Sequence, residues 1–196
     1  MAKIQPLPAP PSPPSSDDHR EGQQASHAYT VWMKSLVFNG NGCAVYGPDG
    51  DVAFRVDNYG CRGGREVLFM DGAGNALIRI RRKGFRMFRR WEVSRCEEEE
   101  STPWFTVRRA DKGGAAVAMH GGARTCYRIE GCSGARKPEH RVRGVDGAVV
   151  AEVARKQTPA GVVLGQDVLT LTVAPEVDHL LVLGLAVVRG LMNRSL

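Results

Sequence analysis

The sequence predicts a mainly β fold, a closed antiparallel barrel of about twelve strands enclosing a hydrophobic C-terminal helix. Three features point there. Apolar and polar residues alternate with period two in short runs along most of the chain, the mark of half-buried strands. The same strand–turn–strand plan recurs three times around an Asp-Gly pair. The longest purely apolar run lies close to the C-terminus and has no polar face.

The alternation can be followed strand by strand. In "DVAFRVDN" Val52, Phe54 and Val56 share one face, and Arg55 and Asp57 the other. In "ALIRIRRK" Ile78 and Ile80 oppose Arg79 and Arg81; in "TCYRIE" Tyr127 and Ile129 oppose Arg128. In "VLTLTV" Leu169, Leu171 and Val173 oppose Thr170 and Thr172. The segments "AVYGPDGDVAFRV", "EVLFMDGAGNALIRI" and "HRVRGVDGAVVAEV" each read as a hairpin, in which Asp-Gly supplies the positive φ angles of a tight turn. Further strands fall at Tyr29–Val37, Arg90–Arg95, Pro103–Arg109 and Arg124–Glu130, for a total of about ten to twelve by pattern. "NGNG" at Asn39–Gly42 reads as the loop between the first two strands, and "CEEEEST" as a charged loop.

The segment "VDHLLVLGLAVVRGLMN", residues 177–193, has a different texture. Its uninterrupted apolar run, Leu180 to Val188, makes about 14 Å of helix, whereas a spanning helix needs about 20 mostly apolar residues. Extension brings in Asp178 and His179 on one side and Arg189 on the other. A helix that is apolar all round cannot lie on a surface and has to be surrounded. Pro175 and Glu176 suit its first turn, and Arg189 and Arg194 its last. Gly184 and Ala186 let neighbouring strands approach. A barrel of this many strands is too wide for its own side chains to fill, and the helix supplies the missing volume.

Residues 1–28 are rich in proline, serine and charge and almost free of apolar residues. Such a segment cannot offset its ordering entropy by burial, so a disordered proline-rich arm is expected there, with the barrel occupying residues 29–196. PxxP spacings in "PLPAPPSPPSS" offer a handle for a protein partner with an aromatic groove; a solvated tail is the plainer reading. The formal net charge is +6, of which the arm contributes −1 and the body +7, a balance that favours anionic partners. Five cysteines, an odd number, come without a secretory signal peptide, which points to reduced thiols and a cytoplasmic protein. Peripheral attachment at the plasma membrane is one option for it, and the nucleus stays open. No transmembrane segment is expected.

One tract carries a candidate site. "RIRRKGFRMFRRW" holds Arg79, Arg81, Arg82, Lys83, Arg86, Arg89 and Arg90, with Phe85, Phe88 and Trp91 interleaved. Guanidinium groups pair with phosphates, and aromatic side chains can enter a headgroup layer. Each basic residue near an anionic leaflet contributes about 1 kcal/mol. The plainer reading is a solvated barrel face, and Glu97 to Glu100 are placed to neutralise part of the patch. A nucleic-acid role is disfavoured because no stacking-sheet motif accompanies the tract. His120, Cys126, Cys132 and His140 lack metal-ligand spacing, so no metal site is expected. Asp178-His179 comes without a nucleophile motif and reads as a helix cap or ion-pair partner. "NGNG" and "GCRGG" match neither phosphate-loop nor dinucleotide patterns. No catalytic residue and no cofactor follow from the sequence.

The stretch "YTVWMKSLVFNGNGCAVYGPDGDVAFRVDNY" resembles the plant LURP-one-related family; "EVLFMDGAGNALIRIRRK" is similar to its next hairpin, Trp91 to the tryptophan of its following strand, and "VDHLLVLGLAVV" to its terminal helix. The resemblance runs from about Tyr29 to Asn193. It implies a Tubby C-terminal-like fold, a twelve-stranded barrel around a central helix, with kinship to tubby-like proteins and phospholipid scramblases. It brings no catalytic residues, and some members of the family are linked to pathogen defence. The family's helix ends in acidic residues where this chain has Arg189-Gly190. A non-enzymatic module tethered to phosphoinositide-bearing membranes through Arg79–Arg90 is therefore the expected function. The alternatives are a scramblase-like protein and a protein-interaction scaffold.

Overall fold

Register decides which way each strand residue faces, and here the register closes on itself. The computed structural model describes residues 26–34, 42–57, 66–84, 90–97, 102–121, 126–131 and 139–193. Twelve strands follow in chain order: β1 (His27–Trp32), β2 (Gly42–Tyr46), β3 (Val52–Asp57), β4 (Glu66–Asp71), β5 (Ala76–Lys83), β6 (Arg90–Arg95), β7 (Phe105–Arg109), β8 (Ala115–Met119), β9 (Cys126–Gly131), β10 (His140–Arg143), β11 (Val149–Arg155) and β12 (Val168–Val173). Each pairs with the next, and β1 pairs antiparallel with β12, His27 opposite Val173 and Trp32 opposite Val168. Among the described residues closure leaves no edge strand to template aggregation. The first strand takes in His27 and Ala28, which the sequence pattern assigned to the arm; residues 1–25 of that arm lie outside the described residues, as do Asn39–Asn41 and Gly60–Gly64.

The inward residues form the core. Phe69, Ile78, Ile80, Val93, Phe105, Ile129, Leu171 and Val173 are fully buried. Helix α1 (His179–Asn193) runs through the middle, with Leu181 to Leu185 and Val187 to Gly190 buried. A side chain that size contributes roughly 1.5–3 kcal/mol when buried. Gly184 is needed for the fit: a Cβ there would lie 2.9 Å from Cδ1 of Ile78 and 3.3 Å from Cζ of Phe105. The helix enters beside the start of β1. The Oη of Tyr29 and Nδ1 of His179 are 2.7 Å apart, and the rings of His27 and His179 meet edge to face. It leaves where Arg109, last residue of β7, donates to the carbonyl of Met192. No helix among the described residues is long and apolar enough to cross a membrane.

Two local expectations need correction. The helix does not begin at Pro175 and Glu176. Those residues form a turn in which Glu176 has φ 63°, outside the helical region. Asp178 is the cap: its Oδ1 accepts from Leu181 N–H at 3.1 Å, satisfying one of the orphan donors of the first turn. The same carboxylate meets Arg95 at 3.2 Å. The hairpins also use a different turn. Positive φ falls on Gly50, Gly74 and Gly147, while the aspartates stay at negative φ. In each hairpin the glycine N–H donates back three residues, to Gly47, Asp71 and Gly144, and a register shift sits in the adjoining strand. This is a four-residue turn closed by a left-handed glycine and a bulge, which tolerates aspartate before the glycine.

Strand direction sorts the loops between two rims. All odd-numbered strands run towards the rim where α1 ends, and even-numbered strands start from it. That rim therefore gathers the end of β5, the start of β6, the end of β7 and the β11–β12 connection, residues 156–167.

Candidate functional site

The basic tract is built by β5 and β6, antiparallel neighbours with Arg82 opposite Trp91 and Lys83 opposite Arg90. Alternation sends Ile78 and Ile80 inward and Arg79, Arg81 and Lys83 outward. Arg82 has inward parity but stands above the last packed layer and is exposed. The two guanidiniums nearest the barrel's waist are already engaged. Nε of Arg81 donates to Glu66 at 2.6 Å, and Nε of Arg79 lies 3.4 Å from the same carboxylate. Arg90 pairs with Glu92 at 2.7 Å. Among the described residues the neutralising carboxylates are Glu66 of β4 and Glu92 of β6; Glu97 is exposed, and Glu98–Glu100 lie outside the described residues. Arg86, Arg89, Phe85 and Phe88 lie outside them as well. Trp91 is buried in the core, so it does not act as an apolar wedge.

Register extends the cations well beyond the tract. Lys83 is opposite Arg90, Arg90 opposite Arg108, Arg108 opposite Ala116, Ala116 opposite Arg128, and Arg128 opposite Arg143. These outward residues form one row across six strands, about 24 Å long at the usual strand spacing. Arg143 is held by Glu130 at 2.7 Å and by the carbonyl of Gly147. Arg108 and Arg128 are exposed and have no ion-pair partner among the described residues. Between them the small side chains of Ala116 and Ala118 floor a groove of about 750 Å³. Like charges directly opposite one another destabilise a sheet, so this arrangement costs the fold something.

The rim where α1 ends, which holds the Lys83, Arg90 and Arg108 end of the row while Arg143 lies towards the other rim, also carries exposed apolar residues. Val162 is 61% exposed, and Val163 and Leu164 follow it in the β11–β12 connection. That connection is fastened down: Asp167 meets Lys34 at 2.8 Å and accepts from Nε1 of Trp32. Hydrogen bonds from Lys34 and Trp32 hold its carboxyl below the usual range. Cys96, beside Arg79, has its thiol pushed up by burial, which outweighs the arginine; this disfavours the reactive thiolate. His120, Cys126 and His140 do not converge, Cys132 lies outside the described residues, and no metal-holding cluster occurs among the described residues.

Comparison with known proteins fits this barrel. The LURP-one-related family profile matches residues 27–190. The chain belongs to the LURP-one-related family. Protein LURP-one-related 11 of Arabidopsis thaliana is 36% identical, over 85% of this chain and 77% of its own length. LURP-one-related 4 of the same plant is 34% identical over 98% and 87%, and LURP-one-related 8 is 32% identical over the whole of both chains. An X-ray structure of an Arabidopsis thaliana protein superposes with TM-score 0.61 at 22% identity, covering 86% of this chain and 93% of that one, a likeness of fold. Within this LURP-one-related barrel, Arg108, Arg128 and Arg143 are the functional candidates that the sequence tract does not contain. Their signal in the sequence is their outward parity in "FTVRR", "TCYRIE" and "HRVR". Nothing local says that they line up.

Proposed function

We propose that this LURP-one-related protein is a non-enzymatic module that docks peripherally on anionic, phosphoinositide-bearing membranes by the rim where α1 ends, in the relay of a defence signal. The observation that carries the reading is the row that starts at that rim with Lys83, Arg90 and Arg108 and runs along the barrel wall through Arg128 to Arg143 near the opposite rim, with like charges held opposite one another. A surface of phosphates offsets that repulsion, since each cation brought to an anionic leaflet gains about 1 kcal/mol. Arg79, Arg81, Arg82, Lys83 and Arg90 of the sequence tract belong to this docking surface; its Arg86 and Arg89 lie outside the described residues. Arg82 and Lys83 are its most available members, because Arg79 and Arg81 already share Glu66. Val162, Val163 and Leu164, on the same rim, supply the apolar contact with the headgroup layer that Trp91 does not.

A scramblase-like role finds less support. Helix α1 spans His179–Asn193 and is packed inside the barrel, where it meets no lipid.

Liposome co-sedimentation tests the proposal. Binding to phosphoinositide vesicles should exceed binding to neutral ones and weaken as salt rises. Replacing Arg108 and Arg128 by alanine should weaken it about fivefold per residue. Equal binding to neutral and phosphoinositide vesicles at low salt rejects the reading.

A further inference from the structure

The outward side chains of β8 are small. Ala116 and Ala118 are exposed and floor the groove of about 750 Å³, which has β7 on one bank and β9 with the β10–β11 turn on the other. Register sets the pairs across it. Arg108 and Arg128 both stand opposite Ala116, and Thr106 and Cys126 both stand opposite Ala118. Arg108 and Arg128 are therefore two strand spacings apart, roughly 10 Å between Cα atoms, and their side chains can meet over the alanine between them. Two more charged residues line the groove, Arg143 and Glu130, and they pair with each other at 2.7 Å. Three arginines against one glutamate leave the positive charges of Arg108 and Arg128 unmatched.

The other end of the groove carries no formal charge. Thr106, Ala118 and Cys126 lead to Val145, which lies in the β10–β11 turn and is 72% exposed. Ala116 and Ala118 are about 7 Å apart along the strand, the separation of residues i and i+2 in an extended peptide, whose side chains point the same way. The backbone of β8 is already paired on both sides, so a segment lying here is held by its side chains and not as an added strand. A flat leaflet at the rim where α1 ends can meet Arg108. It does not reach the recessed alanine floor or Val145, which lies towards the opposite rim.

We propose that this groove is a docking site for an extended phosphorylated segment of a partner protein. A phosphoserine sits between Arg108 and Arg128, and a small aliphatic side chain two residues away lies over Ala118 against Val145. The phosphate carries a charge of about −1.5 to −2 and three strong acceptor oxygens, which two guanidiniums grip from opposite banks. The inference goes beyond membrane docking and shares Arg108 and Arg128 with it, so phosphopeptide and leaflet compete for the chain.

The probe is a labelled synthetic peptide with one phosphoserine and, two residues away, a valine. It is titrated against the full chain by fluorescence anisotropy at physiological ionic strength. It should bind roughly tenfold more tightly than its unphosphorylated form, and Arg108→Ala and Arg128→Ala should each weaken it roughly tenfold, the worth of a charged hydrogen bond. Ala118→Phe fills the floor, keeps every charge and should weaken binding to a similar degree. Cys126 is exposed and lines the groove, so its alkylation by iodoacetamide should slow when the phosphopeptide is bound, a readout that needs no variant. Equal binding of the two peptides, indifference to Ala118→Phe, or a Cys126 that stays unprotected overturns the proposal. So does a loss of phosphoinositide-vesicle binding on Ala118→Phe, which would give the groove to a lipid headgroup. Wild-type protein that ignores vesicles while the phosphopeptide protects Cys126 supports the groove and sinks only the membrane reading.

Discussion

Two rows of side chains cross β5, β6 and β7 side by side. Ile80, Val93 and Phe105 face inward, each directly opposite the next, and all are fully buried in the core cluster that includes α1. Lys83, Arg90 and Arg108 face outward on the same strands, also opposite one another. The inner row gains apolar burial at every position, about 25 cal/mol for each Å² removed from water. The outer row gains nothing comparable: it sets like charges together in a high dielectric and is partly relieved by Glu92. One row is explained by burial. The other is not.

The sharpest way to break this contrast is to truncate one residue from each row. Phe105→Ala removes a ring packed on Gly184 and Trp104 and should cost about 3–5 kcal/mol in urea denaturation, a large share of a marginal total. Arg108→Ala should leave the midpoint within about 0.5 kcal/mol, the usual range for a surface change, with any small change towards greater stability. A loss on Arg108→Ala approaching that of Phe105→Ala would mean that the outer row holds the barrel together, and the contrast would fail. Gly184 gives the next effect in size. Gly184→Val pushes branched carbons into Ile78 and Phe105 and should cost about 1–3 kcal/mol. Gly184→Ala should cost much less, because the end of the Ile78 side chain can shift and alanine regains about 1 kcal/mol of helix propensity. Equal losses for the two variants would show that the backbone, rather than side-chain volume, limits the contact.

The inner row was legible in the sequence and the outer row was not, for one physical reason. Alternation is local: "ALIRIRRK" shows by itself that Ile78 and Ile80 share a face, and the nine-residue apolar run of α1 shows by itself that it must be surrounded. Register is not local. That Arg108 stands opposite Arg90 depends on where β6 pairs with β7, which depends in turn on loops such as residues 96–104. Only part of the cation row could therefore be named in advance, the part that happens to be contiguous in sequence. The same limit explains Trp91 and Arg189. Each sits in a basic or terminal context that suggests exposure, and tertiary packing buries both. The turns show a subtler version: Asp-Gly marked all three hairpins correctly, while the turn type depended on a bulge in the partner strand.

The smallest expected effect concerns charge that does serve the fold. Asp71 closes the β4–β5 hairpin, accepting from the backbone N–H of Asn75 at 2.8 Å and from its Nδ2 at 2.9 Å. These hydrogen bonds, the side-chain one foremost, hold its carboxyl below its ordinary value of 3.8. The sign follows from proton linkage. The unfolded chain takes up a proton at this carboxyl more readily than the folded one does, so the hairpin's contribution is complete above the ordinary value and is lost as pH falls through the lowered one. Melting temperature followed from pH 5 downward should therefore drop less steeply for Asp71→Asn, which keeps the shape and removes the titration, than for the wild type. Lys83→Ala, on the outer row of the same hairpin, should leave the slope where it was. Parallel slopes for wild type and Asp71→Asn would show that the hydrogen-bonded turn carries no proton linkage. A changed slope for Lys83→Ala would tie the cation row to folding after all and remove the contrast on which its assignment to an external anionic surface rests.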